Sequence, residues 1–500
     1  MKSSPRSPAS SPRALLASLG LAGMFGMLSA CAPLHVPPPA PMPAPAAFKE
    51  APKAAAASAS APGAPAEPST VDGAQFVPAR LDEATPIPQS WWTVFNDPVL
   101  DDLESRLVIG NEDVRAAVAA VDSARAAVEA ADRAMFPTLS VGLTGTRSKP
   151  SSGSNTAVVS RGVRDSFSLS GSASWDTDLW GRLRQTASAA ENTYQATQAD
   201  LGAARLSAQS LLAQTYFSLR AADAQRALYE RTVRTYQRSL ELTRARYQSG
   251  VVGSTDVLQA QTTLRNAQAT LADSIASRQQ LEHAIAVLLG VAPSSLTIPA
   301  SDSLPAPLPT PTVLPSTLLE RRPDINAAQR RVRAAYQQIG IANAAYYPSL
   351  TLSASSGYTN SVFTNLLNAP NMAWSLGVSI AQTIFDNGAR QLAVSQAKAS
   401  ADAAASTYRK TVLTAFQEVE DNLVLSEQLQ REVQLQTEAL DTSRRNLAIV
   451  EDQYKAGTIS YLDVTTAQAS VLSTENSLLT VRNRQLAAAN LLLKNIAGTW

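Results

Sequence analysis

The sequence predicts a mainly α-helical fold with a β part suited to a membrane, and it writes that fold twice. Three observations carry the prediction. Markers recur in the same order in two halves of the chain, each half holds a proline-free run of about 60 residues, and each half holds two short segments in which apolar and polar residues alternate. At 1.5 Å per residue such a run makes a helix of about 90 Å, far longer than a globular core requires.

The N-terminus is a targeting region. Lys2, Arg6 and Arg13 precede an apolar stretch, Ala14 to Leu28, that is too short to span a bilayer as a stable helix, so residues 1–30 read as an export signal. The "LSAC" of Leu28 to Cys31 resembles the lipobox of bacterial lipoproteins, in which the signal is cut before the cysteine and the cysteine carries the lipid. By the same resemblance, alanine at position 32 favours sorting to the outer membrane. Residues 31–84, dominated by Pro, Ala and Ser without an apolar period, form a semi-extended tether.

Composition removes several function classes. Cys31 is the one cysteine, and His35 and His283 are the two histidines, so an intramolecular disulfide, a histidine metal site and a histidine triad are all disfavoured. A net charge of +1 gives no electrostatic reason to expect nucleic acid. The chain holds no HExxH, no phosphate-binding glycine loop and no GxSxG elbow, so neither an enzyme nor a cofactor or metal is expected.

The first half, residues 85–295, opens on "SWWTVFNDPVLDDL" and continues in an alanine-rich helix from Asp101 to Ala134. Strands follow at about 138–147 and 166–176, then the long helix from Gln185 to Ser249, a turn, and a returning helix from Ser254 to Leu289. A proline-rich linker, 296–316, leads to the second half, 317–500. There the same parts are a helix from Leu318 to Ala345, strands at about 349–358 and 374–384, a long helix from Gln391 to Ala456, and a returning helix from Ser460 to Ile496. "NEDVRAA" with Asp113 matches "RPDINAA" with Asp324, and each aspartate is followed at the same interval by a proline, Pro137 or Pro348. In each half the two shorter helices sum to about the length of the long one, which suggests end-to-end stacking beside it.

The strands set the environment. Leu139, Val141 and Leu143 alternate with Ser140, Gly142 and Thr144, and Phe167, Leu169, Ala173 and Trp175 alternate with serines. Leu350 and Leu352, then Trp374, Leu376, Val378 and Ile380, repeat the pattern. The polar face is Ser, Thr and Gly rather than the Lys and Glu of a solvated sheet, and Phe136, Trp175, Tyr346, Tyr347, Tyr358 and Trp374 stand near strand ends. That is the pattern of a lipid-facing side, a wet lumen and an interfacial girdle. A soluble four-stranded sheet packed on helices is the other reading of these strands; if they lie in a membrane the chain must assemble, because four strands cannot close a barrel and an open edge in lipid leaves backbone groups unpaired.

Between the long and returning helices lie "YQSGVVGSTDV" and "YKAGTISYLDV". Gly250 and Gly457 suit a helix C-terminus that needs left-handed backbone. Ser460 with Asp463 approximates a capping box, and Asp256 and Asp463 suit a first helical turn electrostatically.

The lipobox, the tryptophan motif, the duplicated helix and strand-pair design and the paired Tyr-x-x-Gly turns together resemble the TolC-like outer-membrane factor family, in its OprM/NodT-type lipoprotein branch. The resemblance covers nearly the whole chain after residue 85. It implies a homotrimer with a twelve-stranded outer-membrane β-barrel and a periplasmic α-barrel. It also implies a passive efflux channel for drugs or other small toxic compounds, fed by an inner-membrane pump of the RND type through a periplasmic adaptor. The turns then form the helical tips. Tyr247, Gly250, Val251, Gly253 and Asp256 of the first copy, with Gly457, Thr458 and Ser460 of the second, are candidates for the turn and for adaptor docking. Tyr454, Leu462 and Asp463 are candidates for the pore constriction. Thr466 stands where many members carry a further acid, and Ile459 where some carry a tip arginine, so an arginine–aspartate lock is not expected. A type I protein-secretion duct and a soluble periplasmic scaffold or adaptor are the alternatives; an adaptor would show one helical hairpin, whereas this chain shows two.

Overall fold

The computed structural model describes residues 90–149, 163–301 and 322–496, together with positions 48, 70, 71, 74, 75, 304 and 305. The expected export signal, Cys31, nearly all of the tether and most of the 296–316 linker lie outside the described residues. After a 3-10 turn at Trp91–Phe95 come α1 (Pro98–Gly110), α2 (Glu112–Arg133), β1 (Thr138–Ser148), β2 (Arg164–Thr177), α3 (Arg182–Gln248) and α4 (Ser254–Leu288). The second half supplies α5 (Pro323–Ala344), β3 (Ser349–Asn360), β4 (Met372–Ala381), α6 (Ala389–Lys455) and α7 (Tyr461–Ile496). The long helices α3 and α6 have 67 residues each, about 100 Å of helix.

Two compact units divide the chain, and each draws on both halves. One contains Ser123–Tyr194 and Arg330–Ser406; the other contains Pro41–Asp122, Gln195–Gln329 and Thr407–Trp500.

In the first unit the four strands form one antiparallel sheet in the order β1-β2-β3-β4. The register places Leu139, Ala173, Ala354 and Leu376 in one row, and Trp175, Leu352 and Val378 in the next, all on one face. The opposite face carries hydroxyls that bond one another, Ser140 to Ser172 at 2.7 Å and Ser355 to Ser375 at 2.8 Å. The alternation read from the sequence is therefore the alternation of the sheet. β4 ends at Ala381 and does not run on to residue 384 as expected. Ala381 pairs with Ser349, and the next position across the ladder is Pro348, whose nitrogen carries no hydrogen to continue it.

Below the strands, both long helices start on an aspartate. Asp178 accepts from the backbone N–H groups of Leu183 and Arg184, and Asp386 from those of Gly388 and Arg390. Arg184 and Arg390, which share a column of the repeat, also donate to these carboxylates at 3.1 and 2.6 Å. The bonds to nearby N–H groups and arginines hold both carboxyls below the usual aspartate range. Trp180 stacks on Tyr347 at 4.9 Å and donates to the Pro348 carbonyl, and Trp175 donates to the Met135 carbonyl. Aromatic rings thus tie the end of β2 to the segments that lead into β1 and β3.

In the second unit, Trp91, Trp92, Phe95, Leu100, Leu103 and Leu107 are buried against Leu212, Tyr216 and Phe217 of α3, Ile285 of α4 and Leu492 of α7. Each such side chain contributes about 1.5–3 kcal/mol by leaving water. Asp97 caps α1 through the N–H groups of Val99 and Leu100, and it accepts the Tyr216 hydroxyl at 2.6 Å. Arg220 and Arg278, paired with Asp223, donate to the carbonyls of Pro299 and Ile298 and fasten the start of the linker.

The expected single helix from Asp101 to Ala134 is two helices. Asn111 breaks it with extended backbone, φ −69° and ψ 123°. Its Oδ1 accepts the Val114 N–H and caps α2, while its Nδ2 donates to the Leu288 carbonyl at the end of α4. The approach is so close that a Cβ on Gly110 would collide with the Leu289 carbonyl. In the second half Arg322, the repeat partner of Asn111, donates to Asn495 near the end of α7 and to Glu418 of α6. The short helices of each half therefore meet end to end at these two joints.

Candidate functional site at the helical turns

Both long helices end in the same hydrogen-bonded motif. Gly250 (φ +73°) and Gly457 (φ +78°) sit in left-handed backbone. Val251 N–H donates to the Arg246 carbonyl and Gly250 N–H to that of Tyr247; Thr458 to Gln453 and Gly457 to Tyr454 repeat the pattern. This is the Schellman arrangement, which satisfies carbonyls that a helix end leaves open. Both returning helices start in the first turn with an acid, Asp256 or Asp463. Gly253 precedes α4 as an N-cap without a side-chain bond. Before α7 the Ser460 N–H and hydroxyl both donate to Asp463, at 3.0 and 2.7 Å, and these bonds hold the exposed carboxyl below the ordinary aspartate range.

Beyond this shared frame the two turns differ. Tyr247 is 48% exposed, whereas its counterpart Tyr454 is 4% exposed. Tyr454 packs in a cluster with Tyr236 and Leu240 of α3, Ala260 and Leu264 of α4, and Tyr461 and Val464 of α7. The Tyr454 and Tyr461 rings lie 5.7 Å apart, and the Tyr461 hydroxyl meets Ser239 at 3.1 Å. Leu462 is 63% exposed at the start of α7, directly before Asp463, and Val251 of the first turn is exposed as well. Among the tip candidates, then, the structure turns Leu462 and Asp463 outward and folds Tyr454 inward.

Sequence reasoning missed Arg246. Its guanidinium lies 4.5 Å over the Tyr454 ring and its Nη1 donates to the Tyr454 carbonyl at 2.8 Å. One signal was present: in the column before the shared tyrosine the first copy has Arg246 and the second has Gln453.

An amphipathic four-stranded sheet, two 67-residue helices and a twice-made helical turn define the class: a channel of the bacterial outer membrane with its helices in the periplasm. The chain belongs to the outer membrane efflux protein family, whose profile (OEP, Outer membrane efflux protein) matches residues 103–291 and 314–498, once per half. It is 29% identical over 415 residues to the probable efflux pump outer membrane protein TtgC of Pseudomonas putida KT2440, covering 82% of this chain and 85% of that one. It is 30% identical over 418 residues to the solvent efflux pump outer membrane protein SrpC of Pseudomonas putida, covering 83% and 88%. Among solved structures, the outer-membrane channel OprN superposes with a TM-score of 0.80 at 27% identity, covering 93% of this chain and 99% of that one. The outer membrane protein VceC from Vibrio cholerae superposes at 0.74 and 27%, covering 82% and 99%. The protein is thus the outer-membrane channel of a tripartite efflux system, and its fold is that of trimeric channels joining an α-barrel to a β-barrel.

Proposed function

We propose that the turn before α7 forms the constriction of this channel, with Leu462 as its apolar ring and Asp463 as its acidic ring, three copies of each around the axis. The observation that carries this reading is the exposure of Leu462 beside Asp463 while the aromatic residues around them, Tyr454 and Tyr461, are buried. A large apolar side chain held out at the start of a helix contributes nothing to its own chain's core and suits a narrow, dewetting passage. Tyr454 supports the turn from within.

The first turn, with Tyr247, Val251 and Asp256 around Gly250 and Gly253, takes the periplasmic adaptor in this reading, together with Thr458 and Ser460 beside Gly457. An RND-type pump supplies the substrate, and Cys31 carries the lipid anchor. The relatives named for solvent and antibiotic efflux support small, largely apolar toxic compounds as the cargo.

Single-channel recording of the purified trimer in planar bilayers tests the constriction. Leu462→Ala and Asp463→Ala are each expected to raise resting conductance; unchanged conductance in assembled trimers would reduce both residues to helix-start roles.

A further inference from the structure

We propose that each protomer seats one acyl chain of a membrane lipid in a hollow on the apolar face of its sheet. The hollow is an open groove of about 340 Å³ over Ala173 and Ala354, lined by Pro137, Trp175, Leu352, Leu376 and Val378, with Ser174, Ser353 and Gly377 also on its surface. The register explains it. On this face the two central strands place Ala173 beside Ala354, and Gly171 beside Ser356, while the outer strands place Leu139 and Val141 on one side and Leu376 and Trp374 on the other. Rows of large side chains bound this strip of small residues, Trp175 with Leu352 at the hollow itself and Leu169 with Tyr358 further along the strands, outside its lining. These closing rows lie six residues apart, about 20 Å along the strands, against about 15 Å for one leaflet of a 30 Å hydrocarbon core.

The chemistry selects hydrocarbon. Among the described residues no charged side chain lines the hollow, and the indole N–H of Trp175 is already bonded to the Met135 carbonyl, so that side chain offers only ring carbon. The face is the lipid-facing side of an outer-membrane barrel, and the sheet's free edges are β1 and β4, so copies that close a barrel through those edges leave this face uncovered. A chain lying there is contacted on its floor and both sides, whereas a chain against a flat wall is contacted on one. The inference rests on the outer-membrane location and is independent of the constriction.

The test is native mass spectrometry of trimers transferred from nanodiscs of 1-palmitoyl-2-oleoyl-phosphatidylethanolamine, counting the lipids each trimer retains. The natural sequence is expected to retain up to three. Ala354→Phe, which fills the hollow, is expected to lower retention several-fold, and Ser355→Thr, on the hydroxyl face and outside the hollow, to leave it unchanged. The trimer mass reports assembly in the same spectrum; if Ala354→Phe does not assemble, Ala173→Val serves instead. Filled trimers that keep as many lipids as the natural sequence, or natural trimers that keep none, overturn the proposal.

Discussion

Arg246 of the first long helix lies across Tyr454 of the second, with its guanidinium over the ring and one nitrogen on the backbone carbonyl. A stacked and hydrogen-bonded arginine makes both contacts only while the two turns stay together. The cation–π contact is worth about 0.5–2 kcal/mol and a hydrogen bond from a charged donor about 1.5–3 kcal/mol. Arg246→Ala is expected to raise resting conductance and to sensitise cells to large antibiotics while the trimer still assembles. Arg246→Lys, which keeps the charge and loses the planar fork, is expected to fall between the two. Planar-bilayer conductance and antibiotic susceptibility measure both.

The proposed acidic ring of Asp463 is expected to keep its charge through the mildly acid range. The folded-state pKa of Asp463 is depressed by the two bonds from Ser460. Whatever its ionised form contributes is therefore present above the unfolded value, about 3.9, and is lost only as the pH falls through the lower folded value. Ion selectivity, read as reversal potential in a salt gradient, is expected to stay constant from pH 7.5 to about 5. Ser460→Ala is expected to move the onset of loss upward, towards the ordinary aspartate value. A selectivity change centred between pH 6 and 7 would contradict the assignment.

Glu104 is fully buried among Leu100, Leu103 and Leu107, and neither carboxyl oxygen has a hydrogen-bond partner among the described residues. Burial, reinforced by Asp101, pushes its pKa up to about 9. The sign is opposite to that of Asp463. Stability from a raised carboxyl is fully present below the unfolded value of about 4.3 and is lost as the pH rises through about 9. The decline is on the order of 1 kcal/mol per pH unit. Glu104→Gln is expected to flatten this slope, so that its melting temperature exceeds that of the natural protein at pH 8 and approaches it at pH 5. Thermal melts across that range decide it.

Asn111 both caps α2 and bonds the end of α4. Asn111→Ala removes both interactions and is expected to cost about 1–2 kcal/mol, a typical capping loss, with conductance unchanged. Gly110→Ala is expected to be worse, because its Cβ meets backbone at Leu289 and not a movable side chain. Lowered trimer melting temperature with normal single-channel traces is the expected pair of results.

What was legible in the sequence follows from range. The lengths of the long and returning helices, the alternation of the strands and the paired glycines depend on residues near one another, and the structure returns them to within a few residues. The break at Asn111 was written as a Gly–Asn pair before two acids, a stop and a cap signal, but the alanine periodicity on either side masked it. The early end of β4 was partly in its own letters, since Gln382 falls on the apolar face and breaks the alternation that Thr383 and Ile384 resume, and Pro348, just before the neighbouring strand, decides the matter. Leu100, Leu103 and Leu107 mark an apolar stripe on which Glu104 also falls, so its burial could have been read. The Arg246 contact joins residues about 200 positions apart and has no periodic trace; only the difference between the two copies hinted at it.

The free edges of the sheet, β1 on one side and β4 on the other, carry a kinetic consequence. A lone chain in the bilayer would leave two rows of backbone groups in hydrocarbon, so insertion and closure must coincide in three chains. The yield of working channels then depends on a high power of how many chains arrive together. A modest fall in export of the polypeptide is then expected to reduce the yield of channels out of proportion.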